Sequence, residues 1–331
     1  MKFNGQVPTV DSAAAIETID SFIRNQLVLM KRSGVVVGLS GGVDSALCAH
    51  LCVKAIGKHR VFGLLLPERE SSPISTEYAM AESKQLGIHT EIIDITPTLE
   101  SSGAYELRNS AIRGIFPEFS SRHKCKIVLP GDLLSRDSYN FYKLIIEDEF
   151  GNLRATRLNN QALRQIVAAT NIKQRMRMLY LYRFAEMNNY LVCGTTNKTE
   201  NMQGFFVKYG DGGVDIEPIE ELYKTQVYQL AKFMGVSRDI VERVPTPDTF
   251  SLGVTDEEFY FRVPYDKLDV FLFAWENHVP VSEVCETLGF REEQVERVFR
   301  DLNSKYKLTM HQRALPPTPK TERDIFAEKI K

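Results

Sequence analysis

Val35-Val36-Val37-Gly38-Leu39 runs directly into Ser40-Gly41-Gly42-Val43-Asp44-Ser45, and the helix-like stretch Ala46–Ile56 follows. The apolar run reads as a buried strand that delivers the chain to one edge of a sheet. Two adjacent glycines then allow a tight turn, and the first N–H groups of the next helix are left pointing at whatever anion sits above them. Ser40 and Ser45 add hydroxyl donors, and Asp44 places a carboxylate where a phosphate-bound Mg²⁺ would lie. The Gly-x4-Gly-Lys-Ser/Thr spacing of a Walker loop is missing, as is its lysine. Two glycines alone would signify no more than an ordinary strand-to-helix turn. The whole six-residue string points to a pyrophosphate-binding loop.

That string resembles the signature of the PP-loop ATP pyrophosphatases, which cleave ATP between the α and β phosphates. NAD, GMP and asparagine synthetases and tRNA thiolation enzymes belong to this group. The resemblance therefore implies ATP as a substrate and leaves the acceptor open.

Outward from the loop, strands and helices alternate. Ile16, Ile19, Phe22, Ile23, Leu27 and Met30 recur with helical spacing, which predicts an amphipathic helix over 11–32. Val61–Pro67 and His89–Ile95 read as strands, with a polar loop at 68–75 and a helix ending near Gly87 between them. Tyr190–Thr195 reads as a fourth strand, preceded by a helix over 171–188 and followed by one over 223–234. This order predicts an α/β fold with a doubly wound, mainly parallel, Rossmann-like sheet. The resemblance narrows it to the adenine nucleotide alpha hydrolase type. Thr96–Thr170 yields only short apolar pieces, Cys125–Leu129 and Tyr142–Ile146, with turn-like Gly131-Asp132 and Gly151-Asn152. Beyond Pro245 the chain reads as helical, over 266–276, 281–288 and 292–306, before a Pro-rich extended end at 315–319. One domain over 1–331 is expected, with a helical C-terminal segment and tail from 246 onward.

Composition constrains the partners. The 331 residues are 43% hydrophobic and 25% charged with a net charge of −2, so no basic field suggests nucleic acid. No apolar run approaches the roughly 20 residues of a membrane span, and the N-terminus lacks the apolar core of a signal peptide. The five cysteines, Cys48, Cys52, Cys125, Cys193 and Cys285, form no Cys-x-x-Cys pair and are expected to be buried as small apolar groups. These features together predict a cytoplasmic protein.

A second polar cluster, Gly194-Thr195-Thr196-Asn197-Lys198-Thr199-Glu200, follows the fourth strand, at the end where open α/β sheets bind ligands. Thr195 could bond a nucleotide, and Glu200 could offer Mg²⁺ a second carboxylate. Alternatively, the cluster is a helix cap with Glu in the first turn. Gly204–Asp215 contains glycines around Asp211, with Lys208 and Asp215 at its margins, and reads as a tightly turned loop. Lys224 falls at a helix start, where a cation is unfavourable unless an anion lies nearby.

With these segments in view the resemblance becomes specific. Asn171–Met178, Gly194–Glu200, Lys208–Asp215, Leu222–Gln226 and His311-Gln312-Arg313 stand in the order and spacing of NAD synthetases, and the likeness covers roughly 10–95 and 171–315. It implies amidation of deamido-NAD by ammonia: ATP adenylates the carboxylate, pyrophosphate leaves, and ammonia displaces AMP. Position by position, it implies that Gly38, Leu39, Ser40, Gly41, Gly42, Val43, Asp44 and Ser45 bind ATP with Thr195, Lys224 and Thr246. Asp44 and Glu200 would hold Mg²⁺. Arg175, Lys208, Asp215, His311 and Gln312 would contact the dinucleotide, and Asp44, Lys224 and Asp211 would act in catalysis. It also implies a homodimer, with 11–32 and the Arg175 region as interface segments.

Three departures from the family pattern touch the acceptor side. Gln312 replaces the usual basic residue, Thr96–Thr170 is longer than the usual connection, and Thr255–Pro264 replaces an acidic, Leu-Gly-containing loop. Residues 1–34 leave no room for an attached glutaminase before the first strand, so ammonia is expected free or from a separate protein. The alternatives are a PP-loop ligase acting on another carboxylate, a tRNA sulfur-transfer enzyme, or a nucleotide-binding regulator without catalysis. The tRNA sulfur-transfer reading lacks reactive cysteines or a basic appendage, and intact Asp44, Glu200 and Lys224 argue against the regulator.

Overall fold

In the computed structural model, which describes residues 3–135 and 141–318, a four-stranded sheet carries the site. It contains β1 (Gly34–Gly38), β2 (Val61–Leu65), β3 (His89–Ile92) and a later strand, Tyr190–Cys193, all parallel, in the order β3-β2-β1-Tyr190–Cys193. The three consecutive valines of β1 alternate between two cores. Val35 and Val37 pack with α1 (Ser12–Leu29) and α2 (Val43–Ile56), whereas Val36 faces a core built with Leu99, Tyr105 and Phe184. A strand buried on both faces reads as a continuous apolar run, which is why Val35–Val37 shows no polar alternation.

Between β2 and β3 lies α3 (Pro73–Leu86), and after β3 come α4 (Thr96–Ser101) and α5 (Ala104–Arg113). The stretch that sequence left unresolved then forms a second, antiparallel sheet of β4 (Lys124–Val128), β5 (Lys143–Glu147) and β6 (Leu153–Arg157). Cys125 and Ile127 on β4, and Leu144 and Ile146 on β5, face a core shared with Ile112 and Ile166. Only one face of this sheet is apolar, so β4 and β5 supply two fully buried residues each and β6 none, too few to stand out in the sequence.

α6 runs over Asn160–Asn188, capped by the Asn159 side chain on the Ala162 N–H and ended by Asn189 in the left-handed region. It thus starts well before the predicted 171, because its first turns pack on the second sheet. The fourth parallel strand, β7 (Tyr190–Cys193), follows, then α7 (Lys198–Gln203), α8 (Lys224–Met234) and α9 (Arg238–Val241). A π-helical turn at Glu257–Phe261 precedes α10 (Tyr265–Glu276), α11 (Val281–Leu288), α12 (Glu292–Leu308) and α13 (Met310–Arg313). The C-terminal helices have their own core around Phe271, Val284, Val295 and Leu302. Residue 319 of the Pro-rich end lies outside the described residues. No described helix is long and apolar enough to cross a membrane. Cys48, Cys52, Cys125 and Cys193 are buried, as expected for small apolar groups, and Cys285 is half-buried.

Candidate active site

β1 leads to β2 on one side and borders β7 on the other, so chain direction away from the sheet reverses between β1 and β7. A crevice forms at such a switch point, outside the carboxyl ends of the strands. Here a cavity of about 600 Å³ occupies that position. The 40–45 loop forms its floor, α6 and the 205–211 turn form one wall, and residues 243–249 form the other.

The loop conformation is fixed by its own atoms. Gly41 has φ +73°, and a Cβ there would lie 2.3 Å from the Ser75 carbonyl oxygen. Gly42 caps α2 without any side-chain bond. Ser45 Oγ donates to the Gly42 carbonyl at 3.0 Å and accepts from the Ser40 N–H at 3.3 Å, which closes the turn on itself. Arg243 straps the loop to α3, donating to the Gly41 carbonyl at 3.2 Å and to Ser75 Oγ at 2.8 Å. The helix start above the loop, free of any side-chain cap, offers the anion-binding geometry that the sequence predicts.

Lys224 opens α8 yet is only 2% exposed. Its ammonium lies 2.5 Å from Asp44 Oδ2 and 3.2 Å from Glu200 Oε1, bridging the two carboxylates. The anion required by a cation at a helix start is therefore supplied by the protein. Burial works against the Lys224 charge, but the two carboxylates outweigh it and hold its pKa well above the usual ammonium range. Burial likewise raises Glu200 to about 8, with Lys224 opposing and Asp44 adding to the rise. Asn197 Nδ2 donates to Asp44 Oδ1 at 2.9 Å. The Asn197 side chain also caps α7 while Glu200 answers its N–H, which is the helix-cap reading of the 194–200 string, and Thr195 and Glu200 both line the cavity. A Cβ on Gly194 would lie 2.3 Å from the Glu217 carboxylate, which would have to shift.

Asp44 and Glu200 are hard oxygen donors on the cavity floor. Among the described residues no group of three or more His, Cys, Asp or Glu side chains is arranged to hold a metal. One or two carboxylates completed by substrate phosphates is the ordinary Mg²⁺ arrangement, so the donor set fits that ion once Lys224 yields its place.

The expected residues divide into two groups. Gly38, Leu39, Ser40, Gly42, Val43, Asp44, Ser45, Thr195, Glu200, Asp211, Lys224, Thr246 and Gln312 line the cavity, and Gly41 supports the loop from behind. Arg175, Lys208, Asp215 and His311 do not line it. Arg175 Nε donates to the Lys208 carbonyl at 3.3 Å, and Lys208 Nζ donates to the His311 and Ala314 carbonyls at 2.7 and 3.0 Å. His311 is exposed. Asp215 is engaged by the Val192 N–H and the Tyr182 hydroxyl. In the single chain these four residues tie the 205–215 turn to α6, β7 and the C-terminal segment.

Sequence reading missed Arg243, Arg177 and Asp256. Arg177 lines the cavity one turn beyond Lys173 and donates to the Leu66 carbonyl at 3.2 Å. Asp256, 5% exposed, lines it from the turn before the π-helix. Its Oδ2 accepts from the Tyr265 hydroxyl, its Oδ1 has no partner, and burial raises it to about 6. The divergent 255–264 stretch reaches the cavity: Phe259 and Tyr260 line it beside Phe205 and Tyr142. Nothing in the local pattern of a single sequence marks Arg243 or Arg177, because each reaches a carbonyl of a distant segment, Gly41 and Leu66 respectively.

The NAD synthase family model matches residues 15–126 and 137–316. The chain belongs to the NAD synthase family. The match runs through 96–126 and 137–170 as well as through the motifs on either side. The NH₃-dependent NAD⁺ synthetase of Mesorhizobium japonicum is 42% identical over 308 residues, which is 93% of this chain and 96% of that protein. Among solved structures, NMN synthetase from Francisella tularensis aligns with a TM-score of 0.65 at 25% identity, covering 94% of this chain and all of that one. The NH₃-dependent NAD synthetase of Campylobacter jejuni aligns with a TM-score of 0.62 at 23% identity, over 94% and 99% of the two chains. This last likeness concerns the fold, and NAD synthase family members thus share the parallel sheet that carries the loop. Its curated relatives are carbon–nitrogen ligases.

Proposed function

We propose that this chain is an ammonia-dependent NAD synthetase, converting deamido-NAD, ATP and ammonia to NAD, AMP and pyrophosphate. The observation that carries the reading is the convergence of the 40–45 loop with Asp44, Glu200 and Lys224 at the switch point of an NAD synthase fold. ATP lies with its phosphates on the α2 N-terminus and the Ser40 and Ser45 hydroxyls, with Thr195, Lys224 and Thr246 completing the nucleotide site. Asp44 and Glu200 hold Mg²⁺, which when bound neutralises phosphate charge. A nicotinate carboxylate oxygen attacks the α-phosphorus and pyrophosphate departs. Ammonia then attacks the acyl carbon of the adenylate and AMP leaves with the carboxylate's bridging oxygen. No side-chain nucleophile is needed. The protein's part is to align the two substrates and to place the Lys224 charge where pyrophosphate develops.

The dinucleotide occupies the side of the cavity bounded by Asp211, Gln312 and the 205–211 turn. Arg175, Lys208, Asp215 and His311 support this side, and a homodimer would bring a second copy's surface to it. Exposed Leu179 and Met187 on α6, and Val28 and Leu29 at the end of α1, are apolar surface available for that interface. Ammonia is supplied free or by a separate glutaminase, in the cytoplasm.

The test is to incubate the pure chain with ATP, Mg²⁺, ammonium and deamido-NAD and to quantify NAD, AMP and pyrophosphate. Equal formation of the three is expected. ADP and phosphate as products would overturn the reading. If deamido-NAD gives no saturable turnover while another pyridine carboxylate does, the acceptor would change and the ligase chemistry would stand.

A further inference from the structure

Lys173 sits on the buried stripe of α6 that begins with Ile166, Ala169 and Thr170, and only 2% of it is exposed. Its three ammonium protons go to three acceptors on two separate loops. It donates to Glu68 Oε1 at 2.7 Å, to Glu70 Oε2 at 2.7 Å and to the Thr249 carbonyl at 2.8 Å. Glu68 and Glu70 belong to the loop between β2 and α3, and Thr249 to the loop after α9. Each carboxylate has a further partner. The Tyr105 hydroxyl donates to Glu68 Oε2 at 2.7 Å, and the Arg108 guanidinium grips both oxygens of Glu70 at 2.5 and 2.7 Å. Two cations balance two anions away from water. Well-packed apolar residues of similar volume often give equal or greater stability than such a group, so its use lies in placement.

What it places is the cavity wall. Pro67 and Ser71, on either side of the two glutamates, line the cavity, as do Thr246, Pro247 and Thr249 on the second loop. The loops are also fastened to each other, the Ser72 N–H donating to Asp248 Oδ1 at 3.0 Å. Every backbone N–H from Glu68 to Ser72 has a protein acceptor: Ser71 Oγ, Thr96 Oγ1, Glu68 Oε2, the Glu68 carbonyl and Asp248 Oδ1 in turn. Four of the five acceptors are side chains. The order of this segment therefore depends on holding those side chains still, and Glu68, which takes the Glu70 N–H, is held by Lys173 and Tyr105.

We propose that Lys173 is a positioning residue for the nucleotide half of the site, locking the 68–72 and 246–249 segments in their binding-competent arrangement before ATP arrives. The inference rests on the reading that this cavity takes ATP. When a wall is ordered for only a fraction of the time, apparent affinity falls by that fraction. If losing Lys173 reduces the ordered population to about a tenth, ATP binds about tenfold more weakly.

The test is hydrogen exchange and ATP calorimetry, both without acceptor, on the full chain. In the ligand-free wild type the 68–72 amides should be protected as native loop hydrogen bonds require. Exchange of all of them at the earliest time point would overturn the proposal without any variant. Lys173→Met should weaken ATP about tenfold or more and raise exchange at 68–72 while the β1 amides stay protected. Because that variant leaves a buried carboxylate uncompensated and can fail to fold, Glu68→Gln/Lys173→Met is the charge-balanced partner, retaining the Arg108–Glu70 pair. The same ATP weakening is expected of it. ATP binding within twofold of wild type in either folded variant, with unchanged exchange at 68–72, would overturn the proposal. Absence of NAD formation by the wild type leaves this test intact, since neither readout uses turnover. Absence of ATP binding by the wild type would remove the functional reading and this proposal with it.

Discussion

Replacing Gly41 with alanine tests how closely the loop must hold its phosphate-binding shape. Gly41 has φ +73°, a left-handed conformation that costs an L-residue about 1–2 kcal/mol. The added Cβ would also lie 2.3 Å from the Ser75 carbonyl, and real Cβ contacts essentially never fall below 3.0 Å. The loop and the start of α3 must then separate by roughly 1 Å, a misplacement that can cost about 10²-fold in rate. Arg243 resists that separation, since it is bonded to both sides. Gly41→Ala should therefore lower kcat/KM for ATP about 10²-fold, equivalent to about 2.7 kcal/mol of transition-state stabilisation. Its stability should fall by only about 1–2 kcal/mol. Gly57→Ala is the control: φ is +81° there, but nothing lies within 4 Å of the added carbon. It should show the backbone cost in urea unfolding with unchanged kinetics. Steady-state kinetics and urea unfolding on the three proteins decide the matter. Gly41→Ala activity within threefold of wild type would refute the reasoning.

Asp44→Asn and Glu200→Gln should each cut turnover by orders of magnitude, measured as AMP release at saturating ATP; near-normal turnover would remove that residue from the metal site. Asp44→Asn should also destabilise the chain by about 3 kcal/mol, because buried Lys224 loses its nearer partner. Acid should weaken the Glu70 cluster. Burial alone would raise Glu70, but Arg108 and Lys173 outweigh it and lower it from 4.5 to about 2. A lowered folded-state value means stability that is complete above about pH 4.5 and lost as pH falls toward 2, up to about 3 kcal/mol. The difference in unfolding free energy between wild type and Glu70→Gln should shrink over that range, and a constant difference would contradict it. Lys208→Ala should raise hydrogen exchange at 311–314, whose carbonyls it holds, and should raise the KM for deamido-NAD far more than that for ATP. Unchanged values for both would separate Lys208 from the acceptor side.

Much of this was legible in the sequence because the decisive signals are local. Val35–Val37 followed by Ser40–Ser45 specifies a buried strand, a tight turn and an uncapped helix start within eleven consecutive positions, and the structure has all three. Lys224 at a helix start implied an anion, and Asp44 and Glu200 are that anion. The antiparallel sheet was not legible, since β6 is almost wholly exposed and β4 and β5 each bury only alternate residues. The early start of α6 was hidden for a related reason: its first turns are polar except where they meet that sheet. Lys173 left a usable trace. It lies seven residues after Ile166 on the buried stripe, a position where a lysine has to find carboxylates, yet the carboxylates come from a segment about a hundred residues earlier. Arg243 and Arg177 each reach a carbonyl of a distant segment, which no local side-chain pattern can announce.

The account stands most directly on the fate of the nicotinate carboxylate. Deamido-NAD labelled with ¹⁸O in that carboxylate, turned over with ATP, Mg²⁺ and ammonium, should yield AMP carrying one labelled oxygen, with the other retained in the amide of NAD. Unlabelled AMP formed in step with NAD, or label appearing in phosphate alongside ADP, would contradict attack of the carboxylate on the α-phosphorus and with it the proposed reaction.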